Sequence, residues 1–147
     1  RKPFSITETL HNLSLLLQSD FEAARIHFTL RSTPSDIIIT GDEKQLSQVF
    51  LNLLKNSIQA LEGESNGQVE VTLEVTDKLY IRITDNGKGI PVELQEKIFV
   101  PFFTTKAEGM GIGLSLCRQI IKKHGGDFYL SESRKGNTTF VIEWVLN

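Results

Sequence analysis

The stretch from Gly41 to Gly63 narrows the possible folds more than any other, because it encodes a long helix with two unlike stripes. Asp42 stands as an N-cap with Gln45 three residues on, a pairing that satisfies orphan amides at a helix start. Behind it Leu46, Phe50, Leu53 and Leu61, with Val49, Leu54 and Ile58 beside them, form one broad apolar face at helical spacing. A face that wide has to be covered by another layer. The segments that follow supply it. Val69–Val75 and Leu79–Thr84 read as strands joined tightly at Thr76-Asp77-Lys78, and Phe128–Glu132 and Thr138–Val145 read as strands meeting at Arg134-Lys135-Gly136-Asn137.

The rest of the chain fits around that pair of layers. Ser5-Ile6-Thr7-Glu8 has the form of a capping box, and Leu10, Leu13, Leu17, Phe21 and Ala24 predict one amphipathic helix over 7–24. Arg25 to Arg31 alternates as a strand with Ile26, Phe28 and Leu30 on one face. Pro34-Ser35-Asp36 is a turn, and Ile37-Ile38-Ile39 is a short buried strand. A short helix starts near Pro91, and a longer one covers 113–124 and stops at Gly125-Gly126. Three substantial helices and six or seven strands predict a two-layer α/β sandwich. Its sheet is mixed and mostly antiparallel, covered on one face by helices, with residues 1–147 forming a single domain.

Composition removes several classes of function. Sixteen basic and eighteen acidic residues leave a formal net charge of -2, against the basic surface expected of a nucleic-acid binder. No apolar run approaches bilayer length, so no direct membrane contact is expected. One cysteine, Cys117, excludes an intramolecular disulfide and a cysteine-built zinc site. A reducing, cytoplasmic setting fits that usage. The chain opens on Arg1 and its only methionine is Met110, which predicts a piece of a longer protein.

Two features bear on chemistry. Five of the eleven glycines, Gly87, Gly89, Gly109, Gly111 and Gly113, fall within 27 residues. They suit either surface loops or backbone amides brought close to a phosphate chain, with Gly109 to Gly113 leading straight into a helix N-terminus. The pattern is neither a Walker loop nor a dinucleotide fingerprint. On the long helix, Gln45, Gln48, Asn52, Asn56 and Gln59 make a second stripe. Such a stripe is either a solvated face or a polar pocket wall. Exposed helix faces usually recruit Glu and Lys, and two asparagines one turn apart suit a pocket offering neutral oxygen ligands to a hydrated Mg²⁺.

Read together, these segments resemble the ATP-binding catalytic domain of two-component sensor histidine kinases. Gln48-Val-Phe-Leu-Asn52-Leu-Leu-Lys-Asn56-Ser-Ile-Gln-Ala60 resembles the family's asparagine box, and Asp85-Asn-Gly87-Lys-Gly89-Ile90 its first glycine box. Phe99-Val-Pro101-Phe102-Phe103-Thr104-Thr105-Lys106 is similar to its phenylalanine box, and Gly109-Met110-Gly111-Ile112-Gly113-Leu114 to its second glycine box. The four occur in the family's order, and the likeness covers nearly the whole chain. It implies the Bergerat ATP-binding fold shared with gyrase, heat-shock chaperone and mismatch-repair ATPases.

The resemblance also implies roles. Asn56 would ligate Mg²⁺, with Asn52 lining the same pocket. Asp85 would accept a hydrogen bond from the adenine amino group, assisted by Thr138, and so favour ATP over GTP. Gly87 and Gly89 would let the backbone pass close to the base, with Ile90 against the ring. Phe102, Thr104, Thr105 and Lys106 would belong to a short lid over 99–109, little ordered without nucleotide and of the nitrogen-regulation type. Lys106 would be the cation near the phosphates. Gly109, Met110, Gly111, Ile112, Gly113 and Leu114 would form the phosphate-binding segment. Asn52, Asn56 and Lys106 would carry the catalysis.

Two departures qualify that pattern. Gln59 stands where many members carry lysine, which moves phosphate binding toward Lys106 or Lys55. Asn137 stands where glycine often precedes the threonine pair, and asparagine tolerates a left-handed backbone. Hydrolysing relatives place a glutamate at the position of Asn52, whose amide cannot take a proton. That argues for transfer to a side chain over hydrolysis in a chaperone-like ATPase, and a nucleotide-gated binding module of the anti-sigma type is the other alternative. None of His11, His27 and His124 sits in a phosphoacceptor context, so the implied partners are an upstream dimerisation segment carrying the histidine and a downstream response regulator. A fragment cut from that segment is expected to be monomeric.

Overall fold

The structure, a computed structural model, describes residues 1–101 and 110–146, with the backbone alone described at 110–112. In chain order the elements are β1 (Lys2–Ser5), α1 (Ile6–Leu16), α2 (Gln18–Ala23), β2 (Ile26–Thr33), β3 (Ile38–Gly41) and α3 (Glu43–Ala60). They continue as β4 (Gly67–Val75), β5 (Leu79–Asp85), α4 (Val92–Gln95), α5 (Met110–Lys123), β6 (Asp127–Arg134) and β7 (Asn137–Trp144). The main sheet has five strands in the order β2-β4-β5-β7-β6. Only β2 and β4 run parallel; the other three pairings are antiparallel. Parallel neighbours need a crossover, and α3 is the helix that makes it. Among the described residues no helix is long and apolar enough to cross a membrane.

Alternation explains the sheet. Val69, Val71 and Leu73 on β4 and Leu79, Ile81 and Ile83 on β5 are buried on one face, with Ile142 and Trp144 of β7 and Phe128 of β6 beside them. Leu46, Val49, Phe50, Leu53 and Leu54 of α3 and Cys117 and Ile121 of α5 complete the same core. The opposite face is polar and internally paired, through Arg31–Glu70, Arg82–Glu74 and Lys78–Glu143.

The N-terminal third departs from expectation in instructive ways. The helix expected over 7–24 is two helices that break at Leu17, which is buried; the break lets α2 turn Phe21 onto Phe28 of β2, ring centroids 4.9 Å apart. Arg25 adopts φ 57, a left-handed reversal after α2, so the strand begins at Ile26. Ile37 and Ile39 are buried as expected but Ile38 is exposed, because β3 alternates. No residue pattern marks β1, which pairs antiparallel with β3 from Lys2↔Gly41 to Ser5↔Ile38.

Both caps form. Ser5 Oγ accepts the Glu8 amide at 3.0 Å, and Asp42 Oδ1 accepts the Gln45 amide at 3.1 Å. The start of α3 is also pinned from outside: the Asp42 amide donates to His124 Nε2 at 3.0 Å. An acceptor Nε2 leaves the ring proton on Nδ1, which donates to the Ile120 carbonyl at 2.9 Å. His124→Ala would leave the Asp42 amide unmet, and its expected cost is about 1–3 kcal/mol. Urea denaturation checks this as a lower midpoint at unchanged slope; a shift under about 0.5 kcal/mol would mean that water replaces the ring without loss.

Candidate functional site

Helix α5 lies antiparallel to α3. The two are tied at His124–Asp42, and again one step of seven residues away, where the Cys117 thiol meets the Val49 carbonyl at 3.8 Å. Continued at the same pitch, that alignment brings the first turn of α5, Met110 to Gly113, level with Asn56 and Leu53. The helix begins at Met110, three residues earlier than expected, so Gly111 and Gly113 lie inside its first turn. Helix geometry leaves the amides of the N-cap and the first three helical residues without intrahelical acceptors, so those of 110–112 have no partner within the helix.

The amide stripe on α3 is exposed at Gln48 and half-buried at Gln45, Asn52, Asn56 and Gln59. The Asn52 amide hydrogen-bonds the Cys117 thiol and accepts Gln48 Nε2 at 3.3 Å. Burial pushes that thiol up to about 11, so it stays a thiol. Asn56 Nδ2 is buried and has no hydrogen-bond partner among the described residues. An orphaned amide at that depth is expensive in a domain that gains nothing from it. Lys55, by contrast, is exposed, and Leu114 is a core residue at 4% exposure.

At the far end of the sheet the aliphatic row of β5 ends in a carboxylate. Leu79, Ile81 and Ile83 are followed on the same face by Asp85, only 5% exposed. Its neighbour across the strand pair is Thr138, equally buried. Asp85 Oδ1 accepts the Gly87 amide at 3.0 Å, and no cation pairs with it among the described residues. Burial raises its pKa, and the Gly87 amide partly opposes the rise.

The loop beyond Asp85 is clamped to the β6–β7 hairpin. The Gly136 amide donates to the Gly87 carbonyl at 2.8 Å, and the Ile90 amide donates to Ser133 Oγ at 2.8 Å. Gln95 Nε2 on α4 reaches the Ile90 and Ser133 carbonyls. A Cβ at Gly87 would lie 2.9 Å from the Ala60 carbonyl oxygen. At Gly89, φ +85, it would lie 2.8 Å from the Arg134 backbone. Packing within the protein therefore accounts for both glycines. The left-handed residue of the hairpin is Gly136, φ +90, while Asn137 is in the strand.

Phe99 begins the segment expected as a lid, yet it is part of the core's rim. Its ring meets Phe128 edge-on at 5.3 Å, and the Arg118 guanidinium covers it at 4.0 Å. The expected site residues Phe102, Thr104, Thr105, Lys106 and Gly109 lie outside the described residues, as do the side chains of Met110 and Ile112.

The two glycine segments, the asparagine pair and Asp85 thus fall around one end of α3, and the comparisons agree with that geometry. Residues 41–147 match the model of the histidine kinase-, DNA gyrase B- and HSP90-like ATPase family.

The chain belongs to that ATPase family.

Among solved structures it is similar to the nucleotide-free catalytic domain of histidine kinase ThkA, with 33% identity, TM-score 0.88, and 99% of this chain and 95% of that one covered. A second structure is ThkA in complex with response regulator protein TrrA, with 31% identity, TM-score 0.83, and 99% of this chain and 42% of that one covered. Sensor histidine kinase ZraS of Salmonella typhimurium strain LT2 is 37% identical over 137 residues, which is 92% of this chain and 29% of ZraS. The chain therefore spans about 29% of that curated relative's length.

Sequence reasoning missed Ser133 and Arg118. Nothing in the spacing marks Ser133, because simple alternation from Phe128 and Leu130 points to Glu132. Arg118 carried no signal beyond its place on an amphipathic helix.

The buried carboxylate of this ATPase domain makes its stability depend on pH. A folded pKa above the unfolded one means that protonation favours the folded state. That contribution is fully present below the ordinary aspartate range and is lost as pH rises through the folded value. Above the folded pKa the ionised Asp85 is a cost, so Asp85→Asn should match or exceed wild-type stability at the high end of the pH range. The advantage should disappear on acidification. Thermal melts of both proteins from pH 4 to pH 8 check it, and an Asn variant less stable at the high end of that range would contradict the sign.

Proposed function

We propose that residues 1–147 act as one ATP-binding catalytic domain of a sensor histidine kinase. In this reading the domain holds Mg·ATP and donates its γ-phosphoryl group to a histidine on a separate dimerisation segment, from which a response regulator is served. The observation that supports it is the placement of two unlike groups toward the C-terminal end of α3. Asp85 is buried with no cation paired to it among the described residues, and would take a hydrogen-bond donor such as the adenine amino group. Asn52 and Asn56 stand level with the first turn of α5, whose leading amides suit a triphosphate.

The residues present fit a hydrated magnesium ion. Among the described residues no three His, Cys, Asp or Glu side chains gather into a cage, so a cation here would rely on neutral oxygens, water and phosphate. Asn56 supplies such an oxygen, on an amide whose nitrogen is buried and unpaired among the described residues. Bound there, Mg²⁺ would supply neutralisation of the phosphate charge. Asn52 would line the same wall, and Lys106 is the proposed cation on the side of the transferred group. Asp85 and Thr138 would fix the base, with Ile90, half-buried against the core, beside its ring. In the transfer itself the histidine nitrogen bonds to the γ-phosphorus, the β–γ bridging P–O bond breaks, and ADP departs. Asn52 offers no carboxylate to deprotonate water, which favours transfer over hydrolysis. A cytoplasmic location follows from the same reading, since ATP and response regulators are found there.

The decisive experiment supplies the domain with γ-labelled ATP and the helical segment that precedes it in its parent. Acid-labile, base-stable label on that segment is expected. Release of inorganic phosphate alone would overturn the kinase reading. Asn56→Ala should weaken Mg²⁺-dependent ATP binding at least about tenfold, the loss of one ligand contact near 1.4 kcal/mol. Apo stability should hold within about 1 kcal/mol, because alanine favours helix and the lost amide nitrogen has no partner among the described residues. Isothermal titration with and without Mg²⁺ reads both; unchanged Mg·ATP binding would remove Asn56 from the site.

A further inference from the structure

We propose that Ser133 is a positioning residue that sets the direction of the Thr138 hydroxyl proton and thereby the purine preference of the site. The inference rests on the nucleotide reading above and names a determinant of its selectivity.

The argument begins with a bulge. Strands β6 and β7 pair Phe128 with Ile142 and Leu130 with Phe140, a register that would next set Glu132 opposite Thr138. The register instead shifts between Leu130 and Glu132, so that Glu132 faces Thr139 and Ser133 faces Thr138. One extra residue on an edge strand re-aims everything after it. The polar row across β5, β7 and β6 therefore reads Asp85, Thr138, Ser133. Without the bulge it would end in a second carboxylate, close to a buried one that has no cation partner among the described residues.

Hydrogen-bond direction follows from what Ser133 touches. Its Oγ accepts the Ile90 amide at 2.8 Å and lies 2.8 Å from Thr138 Oγ1. Either hydroxyl can donate across that contact; with one Ser133 lone pair taken by the Ile90 amide, Ser133 is assigned as donor and Thr138 as acceptor. The Thr138 proton is then left for a partner on the side of Asp85. The row presents one acceptor, the Asp85 carboxylate, next to one donor, the Thr138 hydroxyl. Adenine's amino group and adjacent ring nitrogen are the complementary donor and acceptor. A 6-oxopurine has the reverse order, an acceptor facing Asp85 and a ring N–H facing the donor. Each mismatch leaves buried polar groups unmet.

Without Ser133, the Thr138 hydroxyl can turn to accept as easily as to donate. The test is competition binding of ATP and inosine triphosphate, which differ only at this edge, to wild type, Ser133→Ala and Ser133→Thr, with thermal melts to confirm folding. Wild type should prefer ATP at least about tenfold, and Ser133→Ala should shrink the ratio by about threefold to tenfold, the discrimination of one net hydrogen bond. Ser133→Thr, which keeps the hydroxyl, should preserve the ratio. Equal weakening of both nucleotides in Ser133→Ala would reduce Ser133 to a clasp for the 86–90 loop and overturn the proposal alone. A wild type that binds ATP without preference would overturn it together with the Asp85–adenine contact. No ATP binding by wild type would remove the nucleotide reading itself.

Discussion

The rotational setting of α3 about its own axis is the constraint on which the rest depends. One side of the helix contributes Leu46, Val49, Phe50, Leu53 and Leu54 to the core, and a turn of about one residue, roughly 100°, would drive amides into it. Burial of those side chains fixes the angle. The Asp42 cap and the His124 ring fix the helix start, and the antiparallel α5 then fixes what faces Asn52 and Asn56. Core packing thus sets where the amide pair stands, and the cost of that placement is the buried Asn56 nitrogen, unpaired among the described residues.

The end of β5 is built against stability. A strand whose inward row is Leu79, Ile81 and Ile83 would be more comfortable ending in another aliphatic residue, yet it ends in Asp85. Its charge is met only by the Gly87 amide among the described residues. Strain of this kind persists where surrounding structure over-determines it. Here the surroundings are the Gly87–Gly136 and Ile90–Ser133 bonds, which hold the loop against the hairpin whether or not anything is bound.

Much of this was legible before any coordinates because it is local. The α3 cap and its two stripes, the alternation on β4 and β5, and the hairpin turn at Gly136 are all written within a few residues. What the sequence hid is nonlocal. Strand β1 exists because Lys2–Ser5 finds β3 some 36 residues away, and Lys-Pro-Phe-Ser carries no strand pattern of its own. The break at Leu17 depends on Phe21 reaching Phe28, and Phe99 is fixed by rings on β6 and β7 rather than by its own segment. The bulge that selects Ser133 over Glu132 is a property of strand pairing, and no spacing rule reveals it.

The glycines of the 85–90 loop carry an evolutionary consequence. Gly87 is held to glycine by the Ala60 carbonyl and Gly89 by its left-handed φ and the Arg134 backbone, all of them contacts within the fold. A descendant that lost all use for nucleotide would still be selected to keep both, since a methyl group at either place would unseat the loop. Asp85 would be under the opposite pressure, because its replacement relieves a buried charge, and Asn56 could change freely. In a degenerate copy of this domain the glycine signature would survive as a fossil of the architecture, while the carboxylate and the amide would be the first to erode. Those two side chains, and not the glycines, are where a living activity would be read.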